Sequence, residues 1–163
     1  MGKIEDNYFN EVFNTDQPKN KDESLEERFE KERLDWSSKI DFMSKKLQKV
    51  FELNDLMTIV YTERQRLVEY YYYLLSLLSK VNRQYRKEYA IKYEYYSFGQ
   101  QIRFPNETSK NNKILSELDE IIRKKDALEI QVKFIDSTIK SIDHVIWAIS
   151  KRIELENIKY KIQ

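Results

Sequence analysis

Residues 114–153, ILSELDEIIRKKDALEIQVKFIDSTIKSIDHVIWAISKRI, decide how this chain folds. Ile114, Leu118, Ile121, Lys125, Leu128, Val132, Ile135, Ile139, Ile142, Ile146, Ile149 and Ile153 follow one another by alternating steps of four and three, and eleven of these twelve positions are apolar. That period belongs to an α-helix with one continuous seam, about 60 Å long at the rise of an α-helix. Isoleucine at both seam positions favours assemblies of more than two strands if copies pair in parallel, and Lys125 is a polar interruption of the kind that fixes register. Leu128, Ile135, Ile142 and Ile149 are therefore candidate oligomerisation residues; alternatively, other helices of the same subunit fill the seam. Trp147 lies outside this register and is assigned to a second packing surface or subunit interface. His144, also off the seam, reads as a surface histidine because no second ligand of its type exists in the chain.

Composition agrees with long helices. Two glycines and two prolines in 163 residues, 35% charged residues and a mean hydropathy of −0.76 predict an elongated all-α protein. Without cysteine there are no disulfides or thiolate metal sites, so no metal or cofactor is expected and an intracellular setting is the default. No apolar run reaches the roughly 18 residues of a membrane span, and MGKIEDNYFNEVFN lacks a basic start followed by an apolar core. Neither insertion nor export is expected.

Residues 1–23 carry six acids against three lysines and read as an acidic, disordered tail ahead of a helical domain at 24–163. Tyr8, Phe9, Val12 and Phe13 form its one apolar cluster, spaced as a short helix that docks on a partner would be. Ser24 and Glu27 make a capping box that starts a first helix. Phe29, Trp36, Ile40, Met43, Leu47 and Val50 give that helix a stripe, and Asn54 with Asp55 is expected to end it. A second helix is predicted at about 56–97, its apolar sector holding Leu67, Tyr71, Leu74, Leu78, Val81, Tyr85, Tyr89, Tyr93 and Tyr96.

The charge is uneven although the net is only +1. Between 80 and 92 stand five cations, Lys80, Arg83, Arg86, Lys87 and Lys92, against Glu88 alone. Arg66, Tyr73, Lys80, Arg83 and Lys87 fall opposite the apolar sector. Such a row suits a phosphate backbone, with aromatic rings to stack bases; a solvated helix face has the same appearance. Residues 97–112 are predicted to be the one substantial loop, since Gly99, Pro105, Asn106, Asn111 and Asn112 break regular structure. Arg103 and Lys110 extend the basic patch into it. Arg103 beside Phe104 is either a cation-and-stacking pair or part of an anchored loop. Paired acids such as Asp119 and Glu120 imply no pocket, so an enzyme is the weakest reading.

Lys92-Tyr93-Glu94-Tyr95-Tyr96-Ser97-Phe98-Gly99 resembles the K/R-x-(D/E)-Y-Y-S/T-G element of the UvsY family, the recombination mediators of tailed bacteriophages. The likeness spans roughly residues 53–160 and includes Ala148-Ile149-Ser150-Lys151-Arg152, similar to the family's A-I-x-x-R turn. None of these motifs is catalytic; their order and spacing carry the resemblance. Phe98 stands where the family usually runs directly into glycine, Ala90 where some members have a second basic residue, and the acidic tail and much of the first helix have no counterpart. The resemblance implies a ring-like homo-oligomer, cytoplasmic in the infected host, that binds single-stranded DNA. It implies as partners a RecA-like recombinase of the UvsX type and the phage single-strand-binding protein, whose covered strands the recombinase is helped to load. Lys92 is carried over as a DNA contact. The competing class is a structural coiled-coil or phage assembly protein without a ligand.

Overall fold

The computed structural model describes residues 24–99 and 104–162, and there the chain is all-α, with no strand among the described residues. Four α-helices follow in order: α1 (Leu25–Lys46), α2 (Leu53–Glu94), α3 (Glu107–Glu117) and α4 (Asp119–Ile162). The tail at 1–23, its apolar cluster and Arg103 lie outside the described residues.

α1 starts where the capping box predicts. The Ser24 hydroxyl accepts the Glu27 N–H at 3.2 Å, and Glu27 Oε2 accepts the Ser24 N–H at 2.9 Å, so two otherwise unpaired donors are satisfied together. Its end falls earlier than expected. The chain turns at 47–49, where Gln48 and Lys49 donate to the carbonyls three residues back, and a short 3₁₀ turn (Val50–Glu52) leads into α2. Lys46 and Lys49 both reach the Glu52 carboxylate, at 3.1 and 3.2 Å, and bridge this corner. Asn54 and Asp55 do not break the chain. They occupy the first turn of α2, where an acidic side chain complements the unpaired N–H groups.

The described residues form two compact units. One combines α1, α2 up to Tyr72 and α4 from Lys133. Its core holds Phe29, Met43, Leu56, Val60, Leu67, Ile135, Ile142 and Ile149, each at most 2% exposed. A fully buried aliphatic side chain contributes about 1.5–3 kcal/mol, so these residues hold the unit together. Tyr70, 3% exposed, belongs to the same core and donates its hydroxyl to Glu32 at 2.7 Å. Arg64 binds Asp143 through both Nε and Nη2, tying α2 to α4.

The other unit, residues 73–132, contains the rest of α2, a single π-helical turn (Tyr95–Gly99), α3 and the start of α4. Leu74, Val81, Ile114, Leu118, Ala127 and Leu128 are its buried apolar residues. The predicted loop at 97–112 is shorter than expected. The Asn106 side chain accepts the Ser109 N–H at 2.8 Å and caps α3, so Lys110, Asn111 and Asn112 are helical. Asn111 serves packing instead, accepting the Tyr89 hydroxyl at 3.1 Å. The predicted third helix is interrupted once, at Leu118, whose N–H is shared between the carbonyls of Ile114 and Leu115.

The seam on α4 is corrected by burial. Leu128, Ile135, Ile142 and Ile149 are at most 1% exposed within a single chain, so they pack inside the subunit and leave no surface for a second copy. Gln131, Thr138 and Val145, interleaved with them, are also buried, while Val132, Ile139, Ile146 and Ile153 are half-buried. The buried stripe therefore keeps Leu128, Ile135, Ile142 and Ile149 of the predicted seam and replaces Val132, Ile139 and Ile146 by the residues one position before them. Thr138 fits there because its hydroxyl bonds back to the Phe134 carbonyl at 2.9 Å. Of the five oligomerisation candidates only Trp147, 63% exposed, remains at the surface.

Candidate nucleic-acid interface

Most described cations are neutralised locally. Lys39, Arg66, Lys113, Arg123, Lys140, Lys151 and Lys159 each pair with an acid three or four residues away on the same helix. The segment 80–87 differs. Lys80, Arg83, Arg86 and Lys87 are all exposed. Among the described residues no carboxylate pairs with any of them, and Arg86 only donates to the Asn82 carbonyl at 3.3 Å. The physical cause is local sequence: positions three and four away along the helix hold serine, asparagine, glutamine, alanine, leucine, isoleucine, tyrosine or further cations instead of acids. Four positive side chains within two turns thus face water uncompensated. Lys124, exposed on α4 and likewise without a described partner, was not singled out by sequence.

Lys92 and Lys110 are placed otherwise. Lys92 Nζ lies 2.7 Å from Glu117 Oε2, and the same carboxylate accepts the Tyr96 hydroxyl and sits 3.2 Å from Lys113 Nζ. These bonds, that from Lys92 foremost, hold the Glu117 carboxyl down at about 2, while the bond to the Glu117 carboxylate pushes the Tyr96 phenol up to about 12. Lys110, only 9% exposed, lies 2.9 Å from Glu107, donates to Ser97 Oγ at 3.0 Å and stands 4.1 Å over the Tyr93 ring. Its partnership with Glu107 raises the ammonium pKa and lowers that of the acid. Tyr85, Tyr89 and Tyr93 continue this packing as a ladder with ring centroids 6.0 and 6.2 Å apart. The stretch 92–99 is therefore a clamp fastening the end of α2 to α3. Neither Lys92 nor Lys110 offers the open cation assigned to it, because each already has a carboxylate.

Gly99 completes the clamp. A Cβ there would lie 3.1 Å from Tyr95 Cδ2, so glycine gives the Tyr95 ring its room. Beyond it, Phe98 is 87% exposed and Tyr95 50%, an aromatic tip that the helical wheel did not isolate. Asp119 pairs with Arg123 at 2.8 Å, and among the described residues no cluster of His, Asp or Glu could hold a metal ion. No described helix is long and apolar enough to cross a membrane.

Fold and surface together define an all-α protein of long helices with, among the described residues, four cations clustered without acid partners on α2. Comparison with protein families, curated proteins and solved structures returned no match.

Proposed function

We propose that this chain is a non-enzymatic single-stranded-DNA-binding accessory protein of recombination, a mediator of the UvsY kind. In this reading it helps a RecA-like recombinase onto strands covered by a single-strand-binding protein. The observation that carries it is the row Lys80, Arg83, Arg86 and Lys87: four exposed cations clustered within two turns of α2, none with an acid partner among the described residues, whereas the other described cations without one, such as Lys124 and Lys133, are scattered along the helices. Phosphate neutralisation by such a row releases counterions and tolerates any sequence. The family resemblance adds the recombination context and the ring-like homo-oligomer, in which repeated rows would convert weak contacts into strong ones through effective concentration. Because the α4 seam is filled internally, self-association would use the exposed stripe of Trp147, Leu155 and Ile158.

The test is fluorescence anisotropy with a labelled oligothymidylate, beside a mass measurement in solution. Tight binding lost in Arg83→Glu/Lys87→Glu supports the reading, and Trp147→Glu should lower the mass without unfolding the chain. A second reading, a structural helical protein without a ligand, is favoured by the clamp at 92–99, whose charges are internally satisfied. Wild-type protein that fails to bind the oligonucleotide at low salt would select it.

A further inference from the structure

The face of α2 that carries the cations continues into a different chemistry. On a helical wheel Lys80, Lys87 and Ile91 lie within about 40° of one another, with Tyr95 at the edge of the same sector. The π-helical turn then presents Phe98 at the tip. Ile91 is 51% exposed, Tyr95 50% and Phe98 87%, so the cationic row leads, past the exposed Glu94 in the same sector, to an apolar and aromatic end. Tyr96 and Phe104 pack edge to face, with centroids 5.4 Å apart, but Phe98 makes no ring contact among the described residues. Local packing therefore does not account for Phe98. Gly99 leaves room for the Tyr95 ring beside it.

We infer that Tyr95 and Phe98 form a base-stacking platform at the end of the cationic row, and that this platform makes the site prefer single strands to duplex. The proposal rests on the nucleic-acid reading above and deepens it. Phosphates held by Lys80, Arg83 and Lys87 place the following nucleotides along the helix toward the tip. An unpaired base offers its π-face to the two rings, whereas a duplex keeps its bases stacked on each other. Charge decides the occupant: an uncompensated cationic row leading to exposed rings complements an anionic strand with aromatic bases, and every base satisfies it equally.

The experiment compares three probes of equal length with the full chain: oligothymidylate, an abasic oligonucleotide with the same phosphates, and duplex DNA. Stacking of one base is worth roughly five- to hundredfold in affinity. Wild-type protein should bind oligothymidylate about tenfold or more tighter than the abasic strand. Phe98→Ala and Tyr95→Leu should each erode that ratio while leaving the salt dependence and the duplex affinity unchanged. Phe98 is so exposed that its truncation should leave the thermal midpoint in place. Equal wild-type affinity for the thymidylate and abasic strands overturns the proposal, as does an unchanged ratio in both variants. A drop in solution mass in Phe98→Ala with the ratio preserved would overturn it too, and would assign the tip to contact between copies. Arg83→Glu/Lys87→Glu separates the two levels: if it leaves binding to all three probes intact, the underlying nucleic-acid reading fails rather than the platform alone.

Discussion

Replacing Glu117 by alanine removes the one carboxylate on which Lys92, Tyr96 and Lys113 converge. The side chain is 27% exposed, so water can take over part of what the donors lose, and the ion-pair energy is screened accordingly. Charge-assisted bonds at such a site leave a net cost of about 1–2 kcal/mol, which for a chain of this size corresponds to a fall of roughly 2–8 °C in thermal midpoint. The pH dependence is more diagnostic. The Glu117 carboxyl titrates at about 2 in the folded protein, against an ordinary 4.5. A depressed folded-state pKa gives stability that is complete above the unfolded value and disappears as pH falls through the folded one. The gap between wild type and Glu117→Ala, followed by circular dichroism during heating, should hold from pH 7 to about 5, shrink below 4.5 and close toward pH 2. Glu117→Gln, which keeps an acceptor without the charge, should fall between them at pH 7. A gap that is absent at pH 7, or that stays constant down to pH 2.5, would refute the clamp.

Two further outcomes test the fold. Ser24→Ala should cost about 1 kcal/mol, as loss of an N-cap does, and Ser24→Asp should recover most of it, both read from urea unfolding midpoints. Ile142→Ala, at a site with 0% exposure, should cost about 2–5 kcal/mol by opening a cavity. Leu34→Ala, at a residue 65% exposed on α1, should change the same midpoint by less than about 0.5 kcal/mol.

The all-α class, the start of α1 and the course of α2 were legible because each rests on local chemistry: a capping box, scarce glycine and proline, and a sustained helical period. The end of α1 was not, because the turn at 47–49 contains no strong breaker and is held by lysines converging on Glu52. Asn111 and Asn112 misled for the opposite reason. Their weak helix propensity was overridden by the Asn106 cap and, for Asn111, by a bond from Tyr89. The α4 pattern gave the helix but not its partner, since an apolar seam looks the same whether its own subunit or a second copy fills it. Buried Gln131 and Thr138 shifted the stripe in a way hydropathy alone would not reveal. At the candidate interface, charge counting found Lys80, Arg83, Arg86 and Lys87 but also included Lys92 and Lys110. Their acids, Glu117 and Glu107, respectively arrive from 25 residues away and from within a segment read as loop.

The central claim is that an uncompensated cationic row binds the phosphates of single-stranded DNA. Its most direct test is the salt dependence of oligothymidylate affinity for wild type and Arg83→Glu/Lys87→Glu. Four cations on a single strand predict a slope of log K against log salt near −3, that is about −0.7 per phosphate neutralised. The double reversal should flatten it to about −1 or abolish binding altogether. A wild-type slope close to zero, or a steep slope that the reversal leaves unchanged, would contradict the account.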